Sequence, residues 1–152
     1  MSRILAIDPG PERSAFLWLG ADGLPYCEWL GSNDDALRFL PAVGTEAVVI
    51  EQVASYGMPV GAEVFETCVW TGRFMEACRA APVHRLTRLA VKSHLCHSAK
   101  ANDATIRQAL IDRFGGKERA IGRKAAPGPL YGIKADLWAA LAVAGTWADQ
   151  NP

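Results

Sequence analysis

The sequence lacks the patterns that mark secreted, membrane-spanning or zinc-binding proteins. No apolar run approaches the ~18 residues that a membrane helix needs, and no basic region followed by an apolar stretch begins the chain. We therefore expect no membrane segment and no signal peptide. The four cysteines contain no Cys-x-x-Cys pair, which argues against a zinc or redox motif. We expect reduced, mostly buried thiols in a cytoplasmic protein.

The chain also lacks net charge, because 16 basic and 16 acidic residues cancel. Its halves nevertheless differ: residues 1–78 hold 11 acidic and 4 basic residues, and residues 79–152 hold 5 acidic and 12 basic ones. Such asymmetry favours a polyanionic partner. The alternative is that both signs interleave on one solvated surface after folding.

The rest of the composition is that of a globular protein. Half of the 152 residues are hydrophobic and 21% are charged, which provides enough apolar material for a core. We predict a single domain over residues 1–152.

One apolar stretch near the N-terminus organises the interpretation. Ile4 to Ile7 are all apolar and run directly into Asp8, after which Pro9 and Gly10 turn the chain. An unbroken apolar run predicts a central strand covered on both faces. An acid at the end of such a strand lies where α/β sheets place their chemistry. The alternative is that Asp8 only begins a turn.

Further periodic segments predict an α/β chain. The run Ala47–Ile50 predicts a second buried strand, and it too ends in a carboxylate, that of Glu51. The residues between the first strand and this run predict a hairpin and a short helix. The other predictions are a strand over 83–87, helices over 61–81, 89–95, 102–114 and 133–149, and a mobile basic loop over 116–131.

The predicted helix over 61–81 is apolar on more than one side. We expect one stripe of it to cover the sheet, while Trp70 and Phe74 lie away from that stripe. Apolar area on a second face predicts a partner surface, unless the last helix covers it. The members of the stripe are Phe65, Cys68, Gly72 and Met75.

Three acids stand out from the solvated ones. Asp8 and Glu51 end buried strands, and Asp136 lies near the start of the last predicted helix, on the face that points to the core. Buried carboxylates cost several kcal/mol unless they are paired or bind a metal. Three of them on two strand ends and a helix suit two Mg²⁺ ions, ~3.5–4 Å apart, in phosphodiester cleavage. Taken singly, they could be a turn residue, a strand-end charge and a helix N-terminal acid.

With these residues, the chain resembles the RuvC-type Holliday junction resolvases of the RNase H-like superfamily. The resemblance implies an α/β RNase H-like fold, with a mixed five-stranded sheet flanked by helices. It implies a Mg²⁺-dependent endonuclease, in which Mn²⁺ can substitute, that nicks four-way or branched DNA in recombination and repair. Symmetric nicking requires a homodimer, and the small size suits a phage or prophage version. The segments that carry this resemblance are Ile4-Leu-Ala-Ile-Asp-Pro-Gly10, Ala47-Val-Val-Ile-Glu-Gln52, Val91-Lys92 and Asp136-Leu-Trp-Ala-Ala-Leu-Ala-Val-Ala144.

Residue by residue, the resemblance implies metal-binding, catalytic carboxylates at Asp8, Glu51 and Asp136. It also implies that Lys92, and a basic residue near Lys100, lie close to the backbone of the junction.

The last helix departs from the family pattern, because the second acid expected three residues after Asp136 is Ala139 here. Asp103 is the nearest replacement as a metal ligand, and helix first-turn charge is its alternative role. The departure motivates a second hypothesis, a branched-DNA-binding module without catalysis. A third is the RuvC-like pre-ribosomal-RNA nuclease family, which shares the Asp-x-Gly strand.

Other residues are candidates for contact with DNA. We expect Arg123 and Lys124, in the basic loop, to bind phosphates together with Lys92 and Lys100. Tyr56, shortly after the second predicted strand, is expected near a distorted junction, and a loop contact without ligand is its alternative role.

Overall fold

The computed structural model describes residues 3–152, which form a five-stranded mixed sheet with helices on both faces. The sheet order is β3-β2-β1-β4-β5; β1 pairs antiparallel with β2 and parallel with β4. This confirms the predicted mixed five-stranded α/β architecture. The strands are β1 (Ile4–Asp8), β2 (Arg13–Leu19), β3 (Pro25–Ser32), β4 (Ala47–Gln52) and β5 (Val83–Thr87).

Six helices accompany the sheet within residues 3–152. The first begins after Ser32, whose hydroxyl accepts from Asp35 N–H, and passes into a 3₁₀ turn over Leu40–Ala42. Asn102 caps α4 in the same way, since its side-chain oxygen accepts from Thr105 N–H. The helices are α1 (Asn33–Phe39), α2 (Ala62–Ala77), α3 (Arg88–Cys96), α4 (Asp103–Arg113), α5 (Lys117–Ala120) and α6 (Leu137–Gln150).

The central strand β1 is buried on both faces, as its unbroken apolar run predicts. Ile4 and Ala6 pack into a core formed with α3, α4 and α6. Leu5 and Ile7 pack into a second core formed with α1 and α2. The sheet therefore separates two hydrophobic layers, and the buried strand β1 is open to polar chemistry only at its end.

The predicted covering stripe of α2 is wrong. Phe65, Cys68 and Gly72 are exposed, and Phe65 retains 64% of its accessible surface. Met75 is half-buried. The face that covers the sheet is about a third of a turn away, and it consists of Thr67, Trp70, Thr71 and Phe74.

Two threonines explain this reversal. The Thr71 hydroxyl donates to the carbonyl oxygen of Thr67, and the Thr67 hydroxyl donates to that of Glu63, each at 2.9 Å. A threonine satisfied by its own helix can be buried at little polar cost. Phe74 then meets Phe16 of the sheet edge-to-face, with ring centroids 5.5 Å apart.

The predicted mobile loop over 116–131 is also wrong. It contains α5 and a two-stranded hairpin, β6 (Gly122–Arg123) with β7 (Ala126–Pro127). Leu130 is buried, and its N–H donates to the carbonyl oxygen of Ala120 at 2.8 Å. Gly128 permits this closure, because a Cβ there would collide with the same carbonyl oxygen.

Two of the four thiols are exposed, so the expectation of mostly buried cysteines holds only in part. Cys27 and Cys68 are exposed, Cys96 is half-buried, and Cys78 is buried. Burial raises the pKa of the Cys78 thiol to about 11. Within residues 3–152, no helix combines the length and the apolar character that crossing a membrane requires.

Candidate active site

Asp8 and Glu51 lie side by side because their strands are parallel neighbours. Ile7 of β1 is in register with Ile50 of β4, so the acid that follows each of them lies at the same edge of the sheet. Glu51 keeps only 8% of its accessible surface, and Asp8 is half-buried. The two carboxyl groups are in hydrogen-bond contact. The structure thus brings together two acids that the sequence identified separately.

This contact raises the pKa of Asp8 to about 9. Burial is the largest cause, followed by the charge of Glu51 and the hydrogen bond with it, and then by the charge of Asp136. Arg88 opposes the shift. At neutral pH the pair therefore keeps a proton, which indicates a shortage of positive charge where the two carboxyl groups meet.

Asp136 is placed differently from its prediction. The last helix begins at Leu137, and Asp136 is its exposed N-cap residue rather than a core-facing residue. The reason is the backbone before it: Ala135 has a φ of 48° and Gly132 a φ of 88°, neither of which is helical. The Asp136 side chain makes no capping hydrogen bond to α6. Its carboxylate is therefore not used by the helix, and it lines the cavity described next.

A cavity of about 690 Å³ opens at this edge of the sheet. Its polar part contains four carboxylates, and three cationic side chains stand among them. Its other wall is apolar and comes mainly from α3, α4 and α6. The charged lining residues are Asp8, Glu51, Asp103, Asp136, Arg88, Arg107 and Lys134, and the apolar ones include Val53, Val91, Ile106, Ile133, Trp138, Ala139 and Ala142.

Arg88 joins two of the carboxylates. Its Nη1 lies 3.4 Å from Oε1 of Glu51, and its Nη2 forms an ion pair with Asp103. The sequence reading missed this residue. A signal was present, because Arg88 lies four residues before Lys92 and therefore on the same side of α3.

The position of Asp103 is compatible with both roles considered for it, a metal ligand and a helix first-turn charge. It is the first residue of α4, where an acid is favourable at any helix start. It also lines the cavity, although its side chain is 87% exposed and pairs with Arg88. Its role as a metal ligand stays a prediction.

The donor set suits a hard divalent cation. Carboxylate oxygens are the ligands that Mg²⁺ prefers, and Asp8 and Glu51 already meet at one point. Asp136 is near enough for its charge to act on Asp8. Over residues 3–152, however, no three acidic, histidine or cysteine side chains are grouped closely enough to hold an ion together. The fit therefore rests on the Asp8–Glu51 pair.

Two further cavity residues escaped the sequence reading. The guanidinium of Arg107 lies 4.8 Å from the ring centroid of Trp138, a cation–π contact that fixes both at the cavity wall. Arg107 could have been found from its spacing, since it follows Asp103 by four residues on α4.

None of the residues predicted to contact DNA is among those that line the cavity. Lys92 is half-buried on α3, while Lys100, Arg123 and Lys124 are exposed. Tyr56 is 57% exposed and has a φ of 51°. Its hydroxyl oxygen accepts from Leu89 N–H at 3.2 Å, which ties the loop after β4 to the start of α3. A DNA contact by any of these residues stays a prediction.

Two solved structures are similar to this chain over nearly its whole length. Thermus thermophilus RuvC aligns with a TM-score of 0.69 at 20% identity, covering 96% of this chain and 93% of that one. T. thermophilus RuvC in complex with Holliday junction substrate aligns with a TM-score of 0.67 at 18% identity, covering 98% and 96%. No protein-family model and no curated protein matches the sequence. The similarity confirms the RNase H-like fold and the resemblance to RuvC-type resolvases at the level of fold, which does not by itself fix function.

Proposed function

We propose that this chain, acting as a single nuclease domain, is a metal-dependent endonuclease that nicks four-way or branched DNA. The observation that carries the proposal is the convergence of Asp8, Glu51 and Asp136 on one cavity, in a fold shared with T. thermophilus RuvC. One of the similar structures is a complex with Holliday junction substrate, and that substrate is the one we assign here.

The carboxylates of Asp8 and Glu51, with that of Asp136, would hold Mg²⁺, for which Mn²⁺ can substitute. When bound, such an ion activates a water and stabilises the leaving oxygen of a phosphodiester. The raised pKa of Asp8 supports this assignment, because a cation at the pair would replace the retained proton. Lys134 and Arg107 also line the cavity, where they would pair with the phosphate.

Binding to the junction would come from the basic residues around the cavity. Lys92, Lys100, Arg123 and Lys124 are the proposed phosphate contacts, and Tyr56 is the proposed contact to a distorted junction. Three of these four cations are exposed, as sequence-independent contacts to a phosphate backbone require.

We also propose a homodimer that uses the outer face of α2. Phe65 and Val69 retain 64% and 54% of their accessible surface, and Cys68 and Gly72 lie beside them on the same helix. The occupant is a second copy of this chain, because a four-way junction has two equivalent strands to nick and a two-fold dimer presents two equivalent cavities.

The experiment that tests the function compares three nucleic acids with the wild-type protein. We expect Mg²⁺-dependent nicking of a four-way junction, and little cleavage of a linear duplex or a structured RNA. Preferential cleavage of the RNA would instead support the pre-ribosomal-RNA nuclease hypothesis. Tight junction binding without any cleavage would support the inactive binding module, which the absence of an acid at Ala139 motivates.

A further inference from the structure

A closed ring of hydrogen bonds holds the turn that follows Asp8. The N–H of Gly10 donates to the Ser14 hydroxyl at 3.0 Å, and that hydroxyl donates to Oδ1 of Asn33 at 2.6 Å. Nδ2 of Asn33 then donates to the carbonyl oxygen of Gly10 at 2.9 Å. The ring therefore begins and ends on Gly10, two residues after Asp8, and it satisfies both polar groups of that backbone unit.

The two side chains of the ring are buried, and neither lines the acidic cavity. Ser14 of β2 keeps 2% of its accessible surface, and Asn33, the first residue of α1, keeps 1%. The N–H of Asn33 also donates to the carbonyl oxygen of Glu12 at 2.8 Å. A buried amide and a buried hydroxyl are costly unless they are hydrogen-bonded, so departures from this arrangement are disfavoured. The turn is therefore held more firmly than a solvated one.

The sheet does not hold this turn by itself. The ladder between β1 and β2 ends at the pair of Asp8 with Ala15, and residues 9–12 lie beyond it. The turn is tight, because a Cβ at Gly10 would collide with the carbonyl oxygen of Arg13. Asp8 is thus the last residue of β1 that the ladder holds, and the ring holds the chain directly after it.

We propose that Ser14 and Asn33 are positioning residues, which fix the turn at Gly10 and thereby hold the Asp8 carboxyl group against that of Glu51. Bringing two acids together in a partly buried place is unfavourable, so the Asp8 side chain would turn away if its backbone were free to move. For its effect on cleavage, the inference rests on the proposed nuclease function. Its consequence is that α1, on the face of the sheet opposite α3, α4 and α6, contributes to the geometry of the cavity.

Ser14→Ala and Asn33→Ala test the effect on cleavage. In single-turnover nicking of a four-way junction, we expect each to lower the rate constant by at least about tenfold, since a displacement of about 1 Å at a reacting group can cost a hundredfold. Junction affinity should stay within about twofold, because neither side chain is accessible to DNA. Ser14→Thr keeps the hydroxyl, and it should nick at a rate within about threefold of wild type.

Thr71→Ala is the matched control. It removes another buried hydroxyl, which donates to the carbonyl oxygen of Thr67 on α2 and does not line the cavity. Urea unfolding measures the stability of every variant, and nicking is compared at a temperature where all are folded. We expect Thr71→Ala to nick within about twofold of wild type, which separates positioning from a general loss of stability.

Amide hydrogen exchange of the protein without DNA tests the ring directly. The Gly10 N–H should exchange at least about tenfold faster in Ser14→Ala and Asn33→Ala than in wild type, because its acceptor is removed or displaced. Its exchange in Thr71→Ala should equal that of wild type.

The carboxyl carbon resonance of Glu51 tests the second step, from the turn to the acidic pair. Glu51 lies on β4 and hydrogen-bonds to neither residue of the ring, but its carboxyl group contacts that of Asp8. We expect its chemical shift to change in Ser14→Ala and to stay in place in Thr71→Ala.

The inference fails if Ser14→Ala nicks the junction at the wild-type rate, or if the Glu51 resonance stays in place while Gly10 exchange rises. A wild type that nicks no DNA would refute the proposed function instead. The Gly10 exchange and the Glu51 resonance would then decide the inference, since neither measurement requires cleavage.

Discussion

Arg113 forms a bidentate ion pair with Asp149, in which each of its two terminal nitrogens donates to one carboxylate oxygen at 2.6 Å. His94 Nε2 lies 2.7 Å from the same carboxylate. These residues lie in the last turns of α4, α6 and α3, the three helices whose first turns contribute to the acidic cavity. The cluster therefore ties the far ends of the helices that shape the site.

Loss of this cluster should weaken the fold. We expect Asp149→Asn to lower the free energy of unfolding by about 1–2 kcal/mol, because it removes a charge-assisted bidentate pair. The hydrogen bonds from Arg113 are the main cause that lowers the pKa of Asp149 to about 2, from an ordinary 3.8. Since the folded pKa is the lower one, this contribution is present above about pH 4 and is lost as pH falls toward 2. Urea unfolding of both proteins at pH 7 and at pH 3 measures it, and an equal loss at both pH values would contradict it.

Removal of a single metal-binding carboxylate should abolish cleavage. We expect Asp8→Asn, Glu51→Gln and Asp136→Asn each to reduce nicking by at least about a thousandfold, while junction affinity stays within a few-fold of wild type. Nicking assays with parallel gel-shift titrations measure both quantities. Asp112→Asn, an exposed acid on α4 outside the cavity, is the control. Any of the three variants that cuts normally in Mg²⁺ does not belong to the site.

The raised pKa of Asp8 should appear as a pH-dependent stability. Between about pH 4 and 9 the folded chain keeps a proton that the unfolded chain releases, so stability without metal falls as pH rises. Mg²⁺ needs the ionised carboxylate, so its stabilising effect should grow over the same range. Thermal melts at about pH 6 and 8, with and without Mg²⁺, test both trends. Asp8→Asn should flatten them, and a variant that retains the full pH dependence would remove Asp8 as its cause.

Junction binding should depend on salt through the exposed basic residues. Each lost phosphate contact lowers the slope of log affinity against log salt by roughly 0.7–0.9, so Lys92→Ala with Arg123→Ala should lower it by about 1.4–1.8. Fluorescence anisotropy over a series of salt concentrations gives the slope. Arg38→Ala, on α1 at the other face of the sheet, is the control for a general loss of charge. A double variant with the control's slope would place the phosphate contacts elsewhere.

The outer face of α2 should mediate self-association. We expect the wild type to sediment as a dimer at micromolar concentration, and Phe65→Ser with Val69→Ser to sediment as a monomer, since both side chains are exposed and apolar. Leu24→Ser, in the exposed turn between β2 and β3, is the control. A wild type that is monomeric throughout this range would contradict the proposed homodimer, and with it the proposal of paired nicking.

The sequence was sufficient for the two strands and for the acid that ends each of them. Unbroken apolar runs identify β1 and β4 as buried strands, and the parallel pairing observed in the structure places Asp8 beside Glu51. The sequence was insufficient where contacts between distant parts of the chain determine the conformation or burial of a residue. Ala135 has a left-handed backbone conformation, which moves the start of α6 to Leu137. Such a conformation is usually predicted from a glycine, and an alanine gives no signal of it.

The same limit applies to α2 and to Arg88. Thr67 and Thr71 read as polar, yet hydrogen bonds within the helix allow their burial. The spacing of Arg88 from Lys92 indicates which side of α3 it occupies, but its contact with Glu51 of β4 is what identifies it as part of the cavity. Side chains whose partners are distant in sequence leave no local pattern.

The strand order also determines when during folding the site can exist. β1, β2 and β3 are joined by short turns, so they can pair as soon as that part of the chain is available. β4 joins β1 only after a much longer loop closes, and closing such loops is the slow step of mixed topologies. Asp8 and Glu51 therefore meet late. The early strands hold only half of the acidic pair, so the unfavourable burial of these two acids opposes the pairing of β4 with β1 rather than the pairing of β1, β2 and β3.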